Sequence, residues 1–305
     1  MTNLALLMKQ ITKIAIFGRE VRSGYLDQFA LLLDALSSRK VSFAWYAPFL
    51  EQLSEKGLKL PHGEVFTSSE DLPKDVNLFL SLGGDGTFLS SVTYVRERGI
   101  PVAGINFGRL GFLTTAKVGN KPPLWIDDLL EGRYSLEQRD LLRIDCGSVP
   151  EGFYPYAMNE ISIHRQGPAM LSISIKIDGR PLPLYRADGI VIATPTGSTA
   201  YSLSVGGPIV MPDSPVLIIA PIAPHNLNVR PLVAPLTSTL ELTLSSRDLP
   251  AIVTMDNRSF TLPSGGSARI SRGEFPFGYI SLFDNNFIKA IQDKLLWGED
   301  KRNDI

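Results

Sequence analysis

The stretch with the most chemical content is Gly83-Gly84-Asp85-Gly86-Thr87, which directly follows the apolar run Val76 to Leu82. Glycines without side chains let backbone N–H groups close on phosphate oxygens, and a helix starting there adds the positive end of its dipole to the same spot. An aspartate in such a cradle repels phosphates unless it has a purpose, such as binding a metal or accepting a proton from an attacking hydroxyl. The competing reading is a glycine turn in which Asp85 caps the following helix. There is no Gly-x-x-x-x-Gly-Lys-[Ser/Thr] loop and no Gly-x-Gly-x-x-Gly after the first strand, so neither a P-loop NTPase nor a typical dinucleotide dehydrogenase is indicated.

A second cluster, Thr194 to Ser202 (TPTGSTAYS), follows the apolar run Gly189 to Ala193. Its hydroxyls offer donors to phosphate, amide or ribose groups, and Tyr201 offers a ring edge and a phenol. The same residues also suit an ordinary β-turn with Ser and Thr before a helix near Ala200. Asn159-Glu160 interrupts one apolar strand and Asp188-Gly189 precedes another. Amides and carboxylates at such places hold ribose hydroxyls or a nicotinamide amide, or else pair with each other in the core. His62, His164 and His225 lie in unlike contexts, which speaks against a metal cluster or a catalytic triad.

These residues need elements to position them. The first third alternates short apolar runs with helical periodicity: Ile14 to Phe17, a helix over Leu26 to Leu36, Val41 to Tyr46, Val76 to Leu82, a helix from about Phe88 to Arg98 stopped by Gly99, and Ile100 to Ile105. That order predicts a doubly wound, mostly parallel α/β sheet with ligands at the carboxyl ends of its strands. From about Asp140 the texture becomes strand and turn: Leu141 to Cys146, Tyr156 to His164, Leu171 to Ile177, Gly189 to Ala193, Val216 to Ala220, Thr239 to Leu244, Ala251 to Met255 and Ser267 to Ile270. Helical periodicity returns in Asp284 to Trp297, and such a helix needs a surface, most simply the α/β domain. The expected division is an α/β domain over 1–139, completed by 279–305, and a β-rich domain over 140–278.

With 305 residues, two domains are a better expectation than one. A formal net charge of -1 gives no electrostatic footprint for nucleic acid. The single Cys146 cannot form an internal disulfide, which suits a reducing compartment, and neither a signal peptide nor a membrane-spanning segment is evident, so a cytoplasmic location is expected.

Five segments taken together resemble the NAD kinases: GGDGT at Gly83 to Thr87, GINFGRLGFL at Gly104 to Leu113, Asn159-Glu160, ADGIVIATPTGSTAYSLSVGGP at Ala187 to Pro208, and PHNLNVRP at Pro224 to Pro231. They fall in that family's order and span most of the chain. The resemblance implies an α/β domain followed by a β-rich one, the last helix returning to the first, and transfer of a phosphoryl group from ATP, or polyphosphate, with Mg²⁺ or another divalent metal, to the adenosine ribose 2′-hydroxyl of NAD. It further implies that Asp85 takes the hydroxyl proton, that Gly83, Gly84, Gly86 and Thr87 face the phosphates, and that Phe112 packs on the adenine. Asn159 and Glu160 would bind base and ribose groups, and Asp188 the nicotinamide end. Thr199, Ala200, Tyr201 and Ser204 would form the remaining wall of the NAD site. A homodimer or homotetramer is expected from the same resemblance.

The likeness is uneven at two places. Where the family often shows Asp-Gly-Gln this chain has Asp256-Asn257-Arg258, a turn left outside the expected site, and Met1 to Gln10 reads as an extension whose role the resemblance does not supply. Diacylglycerol and sphingoid kinases share the GGDGT motif, but they need an apolar slot for acyl chains, whereas Asn159, Glu160, Asp188, Thr199 and Tyr201 are polar. A dinucleotide-binding protein without catalysis is the other alternative, and the intact Asp85 turn speaks against it.

Overall fold

Lys13–Gly18, strand β1, is buried at all six positions, as a central strand of a parallel sheet covered on both faces must be. The chain is described by a computed structural model over residues 11–108, 111–119, 121, 123–246, 249–282 and 287–296. The Met1 to Gln10 extension and parts of the expected GINFGRLGFL and Asp284 to Trp297 segments lie outside these residues.

β1 is followed by helix α1 (Leu26–Ser37), β2 (Ser42–Tyr46), helix α2 (Ala47–Glu55), β3 (Gly63–Phe66), β4 (Leu78–Leu82), helix α3 (Asp85–Val95) and β5 (Val102–Asn106). The sheet order is β3-β2-β1-β4-β5, continued by Phe277–Ser281 and Ser135–Arg139. β1 pairs in parallel with both β2 and β4, and β4 in parallel with β5. The mostly parallel α/β expectation therefore holds. Phe29, Leu32, Leu33 and Leu36 of α1 are all buried, in one core with Ile14, Ile16, Trp45, Phe49, Leu78 and Leu80.

α3 begins three residues before its expected start. Extended backbone at Gly84 (φ -90°, ψ -172°) lets the chain turn straight from β4 into the helix, and an aspartate in the first turn is favoured by the helix dipole. The helix ends at Val95, and the expected stretch to Arg98 is a 3₁₀ turn closed by left-handed Gly99 (φ 66°).

The later part of the chain forms two antiparallel sheets, one of six strands and one of seven. Leu171, Ile173 and Ile175 point into the core between them, alternating with the less buried Ser172, Ser174 and Lys176. Gly189–Ala193 is instead buried at every position, because Tyr201 and Val205 pack on its second face at Val191 and Ala193. The expected single strand over Tyr156 to His164 is two, Tyr156–Ala157 and Glu160–Arg165, belonging to different sheets. Compact units divide as Met1–Glu137 with Gly278–Ile305, and Gln138–Phe277.

Candidate active site

The connections from β1 and β4 run to opposite sides of the sheet, to β2 and to β5, so a crevice opens beyond the carboxyl ends of these two neighbours. A cleft of about 600 Å³ lies there, lined by Arg19, Glu20 and Arg22 after β1, Gly83, Gly84, Gly86 and Thr87 after β4, and Tyr25 and Asn106. The cleft thus combines two guanidinium groups with the glycine turn at the start of α3, a donor set suited to phosphate oxygens. Arg22 and Glu20 are mostly exposed and pair at 3.3 Å. Neither arginine was singled out by the motif reading. The available signal is positional: a charged loop, Arg19-Glu20-Val21-Arg22, follows the strand that flanks the topological switch point.

Asp85 does not cap α3. The N-cap is Gly84, no side chain bonds the helix end, and the two Asp85 oxygens turn elsewhere. Oδ2 accepts the backbone N–H of Phe112 at 2.7 Å and Oδ1 that of Leu113 at 3.0 Å. A carboxylate has about four lone-pair positions, so two are used here and two can accept further hydrogen bonds. Gly111 makes this contact possible, since a Cβ at that position would run into the Asp85 carboxylate. Gly83, Gly84, Asp85, Gly86, Thr87 and Phe112 therefore belong to one constellation in the α/β unit.

The β-rich unit brings the remaining expected residues into a second constellation. Asn159 and Glu160 are both buried, and Asn159 Oδ1 and Glu160 Oε2 have no hydrogen-bond partner among the described residues. Burial, and next the nearby Asp256 carboxylate, push the Glu160 pKa up to about 8. Gly197 packs against the Asn159 backbone so closely that a Cβ there would collide with it. Thr194 holds the same segment, its Oγ1 donating to the Met158 carbonyl at 2.6 Å.

The turn Asp256-Asn257-Arg258, which sequence reasoning set aside, fixes this segment from two sides. Asp256 accepts the N–H groups of Met158 at 2.8 Å, Asn159 at 2.7 Å and Glu160 at 3.3 Å. Arg258 donates to the carbonyls of Tyr154, at 2.6 Å, and Tyr156. Asp256 adopts φ 52°, a left-handed conformation that Asp tolerates better than most residues.

Tyr201 stacks on His164, with ring centroids 5.5 Å apart at 23°. Its pKa is raised by burial first, then by the charges of Glu160 and Asp188. Asp188 is engaged by Arg165, whose Nε and Nη2 donate to its two oxygens at 2.6 and 3.3 Å. Thr199 sits in a 3₁₀ turn (Thr196–Thr199), Ala200 links it to the short helix Tyr201–Ser204, and Ser204 is exposed.

Among the described residues no group of three or more His, Cys, Asp or Glu side chains is arranged to hold a metal ion. The described residues therefore do not fit a metal centre built by the protein alone.

Comparison with known proteins agrees with the motifs. Residues 64–134 match the ATP-NAD kinase N-terminal domain, and residues 158–282 the ATP-NAD kinase C-terminal domain. A Flavobacterium psychrophilum protein named NAD kinase is 39% identical over 294 residues, covering 95% of this chain and 100% of its own length. The crystal structure of yeast NADH kinase complexed with NADH shares the fold at a TM-score of 0.84 and 24% identity, over 96% of this chain and 89% of that one. An NAD kinase from Archaeoglobus fulgidus, solved in complex with ATP, superposes with a TM-score of 0.69 at 25% identity, over 93% of this chain and 99% of its own. With its glycine turn at the sheet's switch point and full-length relatives of that name, the chain belongs to the NAD kinase family.

Proposed function

We propose that this protein, an NAD kinase, transfers the terminal phosphoryl group of ATP to the 2′-hydroxyl of the adenosine ribose of NAD, with Asp85 accepting the hydroxyl proton. The observation that carries this reading is the position of Asp85: first residue of α3, in the glycine turn that lines the cleft, with its carboxylate oriented by two backbone N–H groups. Phosphoryl transfer asks the protein for alignment and charge neutralisation rather than covalent chemistry. Gly83, Gly84, Gly86 and Thr87, with Arg19 and Arg22, supply the phosphate cradle. The O–P bond forms as the bond to the departing diphosphate breaks, and the hydroxyl proton passes to a free lone pair of Asp85. Base assistance of this kind contributes roughly 10²–10⁴-fold. A divalent ion, magnesium most simply, enters as part of the nucleotide substrate, coordinated by phosphate oxygens and water.

For NAD itself, Phe112 is assigned to the adenine, Asn159 and Glu160 to base and ribose groups, Asp188 to the nicotinamide end, and Thr199, Ala200, Tyr201 and Ser204 to the adjoining wall. The buried oxygens of Asn159 and Glu160, without a partner among the described residues, support this, because such groups are ordinarily satisfied. The protein is further assigned to the cytoplasm and to a homodimer or homotetramer. Among the described residues no helix is long and apolar enough to cross a membrane. The test is formation of NADP from NAD with magnesium and a panel of donors: ATP, other nucleoside triphosphates and polyphosphate. NADP with ATP is expected, and none with any donor would refute the proposal.

A further inference from the structure

The helix Phe287–Leu295 brings a lysine to the constellation around Asp85. Lys294 Nζ lies 4.2 Å from the centroid of the Phe112 ring, well within cation–π range. Phe287, two turns earlier on the same helix face, has its ring centroid 6.4 Å from that of Phe112. The Lys294 ammonium is shielded from solvent and donates no hydrogen bond among the described residues. Burial lowers its pKa, and the Asp85 and Asp293 carboxylates act in the opposite direction. A buried ammonium without acceptors is costly. Packing alone would be better served by an apolar side chain, so the charge points to a use other than stability. Lys294 touches the ring of the residue whose backbone N–H binds Asp85.

We propose that Lys294 is a positioning residue for phosphoryl transfer: its ammonium, stacked on Phe112, fixes the segment 111–113 so that Phe112 is set for the purine of the acceptor and Asp85, held by that segment, for its hydroxyl. The inference rests on the assignment of Phe112 to the adenine. Three variants test it in the full-length enzyme: Lys294→Met, of similar length without charge; Lys294→Arg, which keeps the charge and stacks on rings; and Phe112→Leu. Lys294→Met is expected to raise KM for NAD by about tenfold and lower kcat, whereas Lys294→Arg stays within about threefold of the parent in both. In a Phe112→Leu background Lys294→Met should add little to KM, since the lysine acts through that ring. If Lys294→Met is poorly folded by its melting temperature, Lys294→Gln takes its place. Kinetics within about twofold of the parent in the folded neutral variant, or effects of Lys294→Met and Phe112→Leu that multiply, would overturn the inference. Should Phe112→Leu itself leave KM for NAD unchanged, the assignment of Phe112 falls and the role of Lys294 with it. An effect in Phe112→Leu but none in Lys294→Met would sink the lysine alone.

Discussion

The Asp256 carboxylate accepts the backbone N–H of Asn159 at 2.7 Å, linking a turn after one strand to the start of another, 97 residues away in sequence. The same side chain takes the N–H groups of Met158 and Glu160. Asp256→Ala would strand these donors in the interior and force Ala into a left-handed backbone conformation. With each stranded donor costing about 1–3 kcal/mol, the expected loss of unfolding free energy is roughly 3 kcal/mol or more. Urea denaturation measures it, and a loss below about 1 kcal/mol would show that the contact is dispensable.

Glu160 makes the stability of the protein depend on pH. Burial first, and then Asp256, raise its pKa from an ordinary 4.5 to about 8. Between these values the folded protein keeps a proton that the unfolded chain has lost. The Glu160 contribution to stability therefore falls as pH rises from about 4.5 to about 8 and is flat above that. Relative to the parent, Glu160→Gln should be progressively better off as pH increases across this window. Melting temperatures collected from pH 5 to pH 8 would decide the matter, parallel curves for the two proteins being the adverse result.

Gly111 is required by the carboxylate beside it. In Gly111→Ala the new methyl group occupies space now filled by Asp85, so either the side chain or the segment 111–113 must move. A displacement near 1 Å at a reacting group costs about 10²-fold in rate. Circular dichroism should report a folded protein and a steady-state assay a large fall in turnover. A variant with parental turnover would mean that the Asp85 position seen here is not the productive one.

Arg19 and Arg22 face the same cleft as the glycine turn. Replacing both by Ala should raise KM for ATP by about tenfold or more, the loss expected for charge-assisted contacts to phosphate, while KM for NAD changes little. The dependence of the ATP constant on ionic strength should weaken as well. A selective effect on NAD would reverse the assignment of this cleft to the donor.

Much of the fold and part of the site were legible in the sequence because their causes are local. The apolar run of β4, the glycines after it and the aspartate among them are neighbours, so a strand, a turn and a candidate base could be read together. Leu171–Ile177 and Gly189–Ala193 were found at their observed limits, as strand-like runs set off by turn residues. Other features depend on contacts between residues distant in sequence. Asp256 reaches the Met158 to Glu160 segment across a strand pair, Lys294 meets Phe112 only when a terminal helix docks, and Arg19 enters the cleft because β1 and β4 are neighbours. None of these leaves a periodic or compositional trace. The early start of α3 was missed for a different reason, since Gly84 and Gly86 lower helix propensity while the turn they permit is what starts the helix.

The central claim is that Asp85 accepts the proton of the attacking hydroxyl, and the measurement that tests it most directly is the turnover number of Asp85→Asn at saturating NAD and ATP. The substitution removes basicity and replaces one acceptor with an amide N–H that faces the backbone donors of Phe112 or Leu113. If Asp85 served only to hold that segment, substrate binding would weaken, KM would rise, and turnover would recover once the site was filled. Loss of a general base is felt in the transition state and is not restored by saturation. A fall in kcat of about 10²-fold or more, in a folded protein saturated with both substrates, is the predicted result. A kcat within about threefold of the parent, with only KM raised, would contradict the account and leave Asp85 as a positioning group for Phe112.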